Sequence, residues 1–355
     1  MAKATVIVPI YNVEKYLRKC FDSLLNQTSD DFIVYAVNDG SPDHCDDIIK
    51  EYCRKYPEKI KGIRKENGGY GSVLQVAIKE TRTPYFLVCD PDDTLEPEAM
   101  ETLLSLAAVG DADITIGAKM VTYEDSTIKE YDCSYNRDFV HLKSNTVYNC
   151  DQENFNDLFF VNPSPHAKLY RTSLAKDIVF PEHVGYTDNM LFYLSLLNAE
   201  KVIYTEKPLA NYLINRKGNS MTDVSFSAMN GQIRVFKSIL NEAERAKHHP
   251  DIFYYRMFES FKFMLYQMNR LNCTADQYDE TLDYLQTYLK KLTPYEAKIR
   301  PYYERFSKTK IIEKLRDYAL MNEKHSERAY AGIKKRMMEE FRKNHPQAEE
   351  NQQKA

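Results

Sequence analysis

The first hundred residues alternate short runs of β-branched residues with amphipathic helical patterns, and this alternation limits the fold more than any other feature of the chain. Residues 5–10, 32–37 and 85–89 are apolar runs of strand length. Between the first two runs, apolar residues from Val13 to Leu25 recur at helical spacing. Strands that alternate with helices typically form a parallel sheet covered by helices. The sequence therefore predicts an α/β fold with a mostly parallel, Rossmann-like sheet.

The pattern changes in the C-terminal third of the chain. From about residue 225 onward it is helical and contains few Gly or Pro residues, and 355 residues exceed the usual size of one domain. We predict an α/β domain over residues 1–222, with halves at 1–110 and 111–222. A helical C-terminal module would follow over residues 223–345, and a disordered polar tail over residues 346–355.

Charge and cysteine usage exclude several classes of protein. A net charge of −4 gives no reason to expect a nucleic-acid partner. The seven cysteines are scattered, odd in number and lack the paired spacing of a zinc site or a redox dithiol, which indicates reduced thiols in a reducing compartment. The N-terminal apolar run is too short for a secretory signal, and no apolar stretch approaches the length of a membrane span. We therefore expect a cytoplasmic protein.

The segment 290–343 is basic, with sixteen Lys plus Arg against eight Asp plus Glu. One interpretation is a solvated helix face. The other is attraction to anionic lipid headgroups or to a lipid pyrophosphate, which would hold the protein peripherally at the inner membrane face. A helical module of this kind also suits self-association into a homo-oligomer.

Three carboxylates follow the predicted strand at 85–89, namely Asp90, Asp92 and Asp93. Ligands of open α/β sheets bind at the carboxyl ends of strands. Clustered negative charge at such a position favours a divalent cation, and carboxylate oxygens favour Mg²⁺ or Mn²⁺. Asp90 and Asp92 are candidates for a ribose contact and a metal ligand, respectively. The alternative is a polar turn that caps the helix starting near Pro97.

Two other predicted strands also end in polar turns. Asp39 lies in an Asn-Asp-Gly-Ser turn, where its carboxylate could accept a hydrogen bond from a base imide or a ribose hydroxyl. Tyr11 follows the first strand and could stack on a base. The glycines at 68, 69 and 71 offer backbone amides to a phosphate. Taken singly, each of these features is also common in ordinary turns and packed loops.

Together these motifs resemble the inverting transferases of glycosyltransferase family 2, which have the GT-A fold. The likeness is strong over residues 4–100 and weaker over 166–221. The motifs that carry it are Val8-Pro9-Ile10-Tyr11-Asn12, Glu14-Lys15-Tyr16-Leu17, Ser23-Leu24-Leu25-Asn26-Gln27-Thr28, Val37-Asn38-Asp39-Gly40-Ser41, Glu66-Asn67-Gly68-Gly69 and Asp90-x-Asp92-Asp93.

The resemblance implies a nucleotide-binding first half, an acceptor-binding second half and a Mn²⁺ or Mg²⁺ cofactor. The donor would be a nucleotide-diphosphate sugar, preferably a UDP-sugar, and the acceptor a glycan, a lipid-linked saccharide or a protein in cell-surface glycan or polysaccharide synthesis. Asp92, with Asp90, would bind the metal. The implied nucleotide-sugar contacts are Pro9, Tyr11, Asp39, Asn67, Gly68, Asp90 and Arg216.

The resemblance also points to a catalytic base. In this family the base is usually the Asp of a Glu-Asp pair ahead of an apolar helix, and Asp188 takes that position although Thr187 replaces the Glu. Asp188 would accept the proton of the acceptor hydroxyl. On the local pattern alone, an N-cap of the following helix explains Asp188 equally well. The chain also has Tyr70-Gly71-Ser72 where the family usually has small residues, Arg and Asn, so an expected basic donor contact is missing.

Two other functional classes fit parts of the sequence. Asp90-x-Asp92-x-Thr94 resembles the nucleophile loop of haloacid-dehalogenase-like phosphatases, in which the first Asp attacks phosphorus. That loop normally follows the first strand, whereas three predicted strands precede it here. A non-catalytic sugar-nucleotide-binding scaffold would also explain the altered donor loop and Thr187. No dinucleotide-binding glycine motif or Walker loop is present.

Overall fold

The computed structural model describes residues 2–215 and 225–345. Within this range the chain forms two compact units, and the first includes residues 246–248 in addition to the N-terminal part. The predicted domain boundary at residue 222 and the predicted tail at 346–355 lie outside the described residues.

The first unit is built on one ten-stranded sheet. Its strands are β1 (Ala4–Ile10), β2 (Phe32–Asn38), β3 (Ile60–Arg64), β4 (Tyr85–Val88), β5 (Thr94–Leu95), β6 (Ile114–Tyr123), β7 (Lys129–Asp132), β8 (Thr146–Asn149), β9 (Lys168–Arg171) and β10 (Lys201–Ile214). The main order is β3-β2-β1-β4-β9-β6-β10-β5, with β7 beside β6 and β8 beside β10.

The two halves of the sheet differ in strand direction. The pairs β1–β2, β2–β3 and β1–β4 are parallel, as the alternating strand and helix patterns predict. Beyond β4 the sheet is mixed, because β9 runs antiparallel to both β4 and β6 while β6 and β10 are parallel. The first half is thus the Rossmann-like half, and β9 joins it to the second.

Helices cover the sheet of the first unit. They are α1 (Glu14–Leu25), α2 (Cys45–Lys55), α3 (Tyr70–Glu80), α4 (Ala99–Gly110) and α5 (Thr187–Asn198), with short 3₁₀ helices at Glu153–Phe160 and Thr172–Leu174. Every residue of β1 is buried, and α1 packs Leu17, Phe21 and Leu24 into the same core. Burial of this apolar surface is the main force that holds the helices on the sheet.

Two local features concern the starts of helices α1 and α3. Asn12 does not cap α1; the residue before the helix is Val13, and Asn12 instead adopts a left-handed conformation with φ of 54°. Helix α3 begins at Tyr70. It starts directly after the glycine loop because Gly69, with φ of +83°, turns the chain into the helix, a conformation that glycine adopts without strain.

The second unit is helical in its described residues, as predicted. Its helices are α6 (Phe226–Ala243), α7 (Asp251–Gln267), α8 (Ala275–Leu292), α9 (Glu296–Phe306), α10 (Ile311–Met321) and α11 (Ser326–Asn344), with 3₁₀ turns at Met268–Arg270 and Thr293–Tyr295. Thr274 and Gln277 form a capping box at the start of α8. Among the described residues, no helix has both the length and the apolar character that a membrane crossing requires.

Candidate functional site

The polar turns singled out from the sequence meet at one edge of the parallel half-sheet. Pairing along β1 brings the ends of β2 and β4 beside it, and the main-chain N–H of Asp39 donates to the carbonyl of Ile10 over 2.9 Å. The N–H of Cys89 donates to the carbonyl of Ile7 over 2.9 Å. The turns at Asp39 and Asp90 therefore follow the carboxyl ends of the two parallel strands that flank β1, which is where open α/β sheets bind ligands.

Asp93 anchors the acidic turn. Its buried carboxylate accepts a hydrogen bond from the main-chain N–H of Leu213 at Oδ1 (2.7 Å), and its Oδ2 lies 2.6 Å from Nε2 of His166. Burial and the positive charges of Lys119 and Lys168 hold the pKa of His166 well below its usual range, so the imidazole is neutral. Both Asp93 oxygens are thus engaged by the protein itself.

Asp90 is an acidic residue whose ionised form is disfavoured by its surroundings. The hydroxyl of Tyr70 donates to its Oδ1 over 2.8 Å. Burial, together with the carboxylates of Asp93 and Asp92, raises the pKa of Asp90 well above its usual range. One ligand atom each from Asp90, Asp93 and His166 lies within 4.8 Å of the others. The carboxylate oxygens and this excess of negative charge fit a hard divalent cation.

Asp92 occupies a different position from its two acidic neighbours. It lines a cavity of about 490 Å³. Lysines, hydroxyls and amides from α1, β6 and β10 also line this cavity, and among them are Lys15, Tyr16, Lys19, Thr122 and Asn211. Asp92 can therefore be reached from the cavity, whereas Asp93 lies in the protein interior. This arrangement is compatible with the predicted role of Asp92 as a metal ligand, with Asp93 in support.

Asp39 holds the glycine loop, residues 66–69, in place through hydrogen bonds. Its buried carboxylate accepts hydrogen bonds from Lys65 Nζ (2.5 Å) and the N–H of Gly68 (3.1 Å) at Oδ1, and from the N–H of Gly69 (2.8 Å) at Oδ2. The amide of Asn67 donates to the main-chain carbonyl of Asp39 over 3.1 Å. The loop amides that the sequence offered to a phosphate are therefore used to hold the loop on β2.

Asp188 lies in the first turn of α5, one residue inside the helix. The residue before the helix is Tyr186, and no side chain caps this end, so the N-cap interpretation of Asp188 is wrong. Burial raises the pKa of Asp188 to about 6, against hydrogen bonds from Asn189 and the positive charge of Lys168. A carboxylate with a pKa near neutrality is suited to act as a general base.

Tyr70 links the acidic turn to Asp188. Burial, Asp90 and Asp188, in that order, hold the pKa of its hydroxyl well above the usual range. Asp90 lies in the turn after β4 and Asp188 lies in α5, almost one hundred residues apart in the chain. Their charges act on the same buried hydroxyl, so the fold brings the predicted metal site and the predicted base into one region.

Two buried residues of this region were missed by the sequence reasoning, His166 and Lys168. Lys168 begins β9 and is fully buried; its Nζ donates to the carbonyl of Ser164 over 2.5 Å and lies 5.6 Å from the centre of the Phe192 ring. Burial holds its pKa well below the usual range. The signal that could have identified them is a His and a Lys on either side of Ala167, just before an apolar strand.

The remaining predicted contacts are more scattered. Pro9 is buried within β1, and Tyr11 is 49% exposed just beyond the strand. Gly68 is packed so closely that a Cβ there would lie 2.5 Å from the hydroxyl of Ser72. Arg216 lies outside the described residues. Nothing in the site geometry assigns a nucleotide contact to these four positions, so their roles stay predictions.

Comparison with known proteins assigns the family. The model for "Glycosyl transferase family 2" matches residues 5–179, which include β1 to β9 and the acidic turn. Residues 5–179 of the chain therefore belong to this family. The predicted resemblance is thereby confirmed, and the match to the family model includes His166 and Lys168 but ends before Asp188.

The relatives of this chain include other bacterial glycosyltransferases. Glycosyltransferase GlyA of Streptococcus pneumoniae is 32% identical over 61% of this chain and 31% of its own length. The poly(ribitol-phosphate) beta-glucosyltransferase of Bacillus spizizenii is 29% identical over 69% of this chain and 38% of its own length. The chain thus spans roughly a third of these two relatives.

A solved structure confirms the fold. S. aureus TarS 1-349 in complex with UDP-GlcNAc matches with a TM-score of 0.65 at 22% identity, and the match covers 90% of each chain. The family 2 chain therefore has the predicted GT-A fold with a helical C-terminal region.

Proposed function

We propose that this protein is an inverting glycosyltransferase that moves a sugar from a nucleotide diphosphate to an acceptor hydroxyl. The proposal is supported by two observations on Tyr70: its hydroxyl donates to Asp90 over 2.8 Å, and the charge of Asp188 also raises the pKa of that hydroxyl. The acidic turn from Asp90 to Asp93 is suited to bind a cation, and the carboxylate of Asp188 has a raised pKa. Together they supply the two functions that such a transfer needs. These are a site for the leaving diphosphate and a base for the incoming hydroxyl.

In the proposed reaction, the oxygen of the acceptor hydroxyl attacks the anomeric carbon while Asp188 takes its proton. The bond between the anomeric carbon and the diphosphate oxygen breaks, and the electron pair leaves with the nucleotide diphosphate. Attack opposite to the leaving group inverts the configuration. Because the pKa of Asp188 is about 6, most of its carboxyl groups are ionised and able to accept a proton at pH 7.

The acidic turn would act on the leaving group through a bound cation. Asp92 and Asp90 would hold Mn²⁺ or Mg²⁺, which neutralises charge on the diphosphate when bound. Asp93 keeps Asp92 and Asp90 in place through its own contacts with Leu213 and His166. Tyr70 donates to Asp90 and lowers the energy of its ionised form, the form that a cation requires.

The nucleotide would lie over the turns that follow β1 and β2, with Tyr11 exposed for stacking. Asp39 fixes the glycine loop beside it, and Pro9, Asn67, Gly68 and Arg216 complete the proposed contacts. We infer a UDP-sugar donor, since the TarS complex holds UDP-GlcNAc. We further infer a cell-surface glycan acceptor, such as a polyol-phosphate polymer, because the name of the Bacillus spizizenii relative specifies poly(ribitol-phosphate).

The test is nucleotide release from a panel of UDP- and GDP-sugars, with Mn²⁺, with Mg²⁺ and with a chelator. The parent is compared with Asp92→Ala and Asp188→Asn, and with Asp177→Asn as a control at an exposed aspartate of the same unit. We expect metal-dependent donor binding that Asp92→Ala abolishes. Asp188→Asn should still bind the donor but lose turnover, and Asp177→Asn should match the parent.

Two outcomes would replace the proposal. Cleavage of a generic phosphomonoester that depends on Asp90, without binding of any nucleotide sugar, would indicate phosphatase chemistry. Donor binding that is equal in the parent and in Asp188→Asn, with no turnover in either on any acceptor, would indicate a sugar-nucleotide-binding scaffold.

A further inference from the structure

The start of α10, in the second unit, presents an apolar surface to solvent. Ile311, Ile312 and Leu315 are 78%, 81% and 67% exposed. Residues at i, i+3 and i+4 lie on the same side of a helix, so Leu315 stands beside both isoleucines. Single exposed apolar side chains are ordinary, but three adjacent large ones on one helical turn mark an interaction surface.

The orientation of α10 is fixed by its opposite face. Asp317 is buried and accepts hydrogen bonds from the hydroxyl of Tyr303 (2.8 Å) and from Arg316 Nε (3.2 Å), and it pairs with Lys262 of α7 (3.1 Å). Leu320 is buried on the same helix. Because this polar anchor faces inward, the helix cannot rotate to bury its isoleucines without breaking it.

Basic residues surround the exposed turn. Residues 305–316 contain five Lys plus Arg and one acidic residue, Glu313. In the chain, Lys308 and Lys310 precede the two isoleucines, and Lys314 precedes Leu315. Apolar side chains flanked by lysines fit the boundary between headgroups and acyl chains of an anionic lipid surface, where lysine stems reach back to the headgroups.

We propose that Ile311, Ile312 and Leu315 insert into an anionic membrane surface while Lys308, Lys310 and Lys314 contact its phosphate headgroups. The positive charge of these lysines favours an anionic membrane over a second copy of the chain as the partner. A two-fold symmetric pairing through the same turn would bring each cluster of lysines close to its own copy, and like charges at such an interface oppose association. An anionic lipid surface satisfies the apolar and the basic parts together.

The experiment is vesicle co-sedimentation of the whole chain. Vesicles of phosphatidylcholine alone are compared with vesicles containing about one third phosphatidylglycerol, over a range of salt concentrations. The apolar variant is Ile311→Ser with Ile312→Ser, and the basic variant is Lys308→Ala with Lys310→Ala. The control is Val109→Ser, because Val109 is 90% exposed in the first unit and has no Lys or Arg within five residues in the chain. All these side chains are exposed, so no variant is expected to unfold.

The expected result is binding to the anionic vesicles only, weakened by salt. Each lysine removed should lower affinity about fivefold, and the apolar variant should bind at least tenfold more weakly. The Val109 control should bind like the parent. Equal binding by the parent and the apolar variant would overturn the proposal. So would loss of a dimer in sedimentation velocity when the isoleucines are replaced, since the surface would then serve self-association.

Discussion

Replacing Asp188 by Asn should slow sugar transfer and stabilise the fold at the same time. The pKa of this carboxyl rises from its ordinary value of 3.8 to about 6, mainly because it is buried. Keeping it ionised at pH 7 therefore costs up to about 3 kcal/mol of folding free energy. Asn has nearly the same shape and no charge, so Asp188→Asn avoids this cost while it removes the proposed base.

The sign of the pH dependence follows from the same shift. Between pH 3.8 and about 6 the unfolded chain has lost the Asp188 proton while the folded chain keeps it, so the parent loses stability as pH rises through this window. The Asn variant has no such group. Its advantage should be absent near pH 4, grow with pH and level off above about pH 6. Over the same window, the rate of the parent should fall about tenfold for each pH unit below 6.

The assay is urea unfolding from about pH 4 to pH 7.5 without nucleotide or metal, together with transfer rates at saturating donor. We expect Asp188→Asn to be more stable at pH 7 and about a hundred- to ten-thousandfold slower. Asp177→Asn is the matched control, because that aspartate is exposed. A variant that is no more stable than the parent at any pH would refute the argument that burial sets the pKa of Asp188.

Three further substitutions test the rest of the site. Tyr70→Phe removes the hydroxyl that donates to Asp90, so Mn²⁺ affinity measured by calorimetry should fall about tenfold. Asp39→Ala leaves the N–H groups of Gly68 and Gly69 without their acceptor and removes the carboxylate that pairs with Lys65; it should lower the free energy of unfolding by about 1–3 kcal/mol and abolish the thermal shift caused by UDP. Gly71→Ala places a methyl group 2.7 Å from the carbonyl of Pro181 and should cost about 1–3 kcal/mol in urea unfolding, whereas Gly185→Ala, with nothing within 4 Å, should not.

The local sequence pattern was sufficient to predict those elements whose structure depends on residues close together in the chain. The apolar run of β1 is buried along its whole length, and the parallel half of the sheet follows from strands alternating with amphipathic helices. The positions of Asp39 and Asp90 followed in turn, since the carboxyl ends of neighbouring parallel strands share one edge. The helical second unit was likewise visible in the periodicity of the sequence.

Long-range contacts lay beyond this kind of reasoning. The partner of Asp93 is His166, 73 residues away, and Lys168 acts on Asp188 from β9. Hydrophobic periodicity predicts that a residue is buried, but it does not predict which buried polar group that residue contacts. Here the contacts depend on the position of β9, which lies antiparallel between β4 and β6.

The sequence by itself therefore determined the fold class, the acidic turn and the candidacy of Asp188. Each depends on interactions between residues close in the chain, or on a rule that holds for every parallel sheet. Only the tertiary structure decided that Asp188 lies inside α5 rather than capping it, that Asp93 is held by His166, and that the Tyr70 hydroxyl donates to Asp90 and is also affected by the charge of Asp188. Burial and the charges of distant residues set those pKa values, and both exist only once the chain has folded.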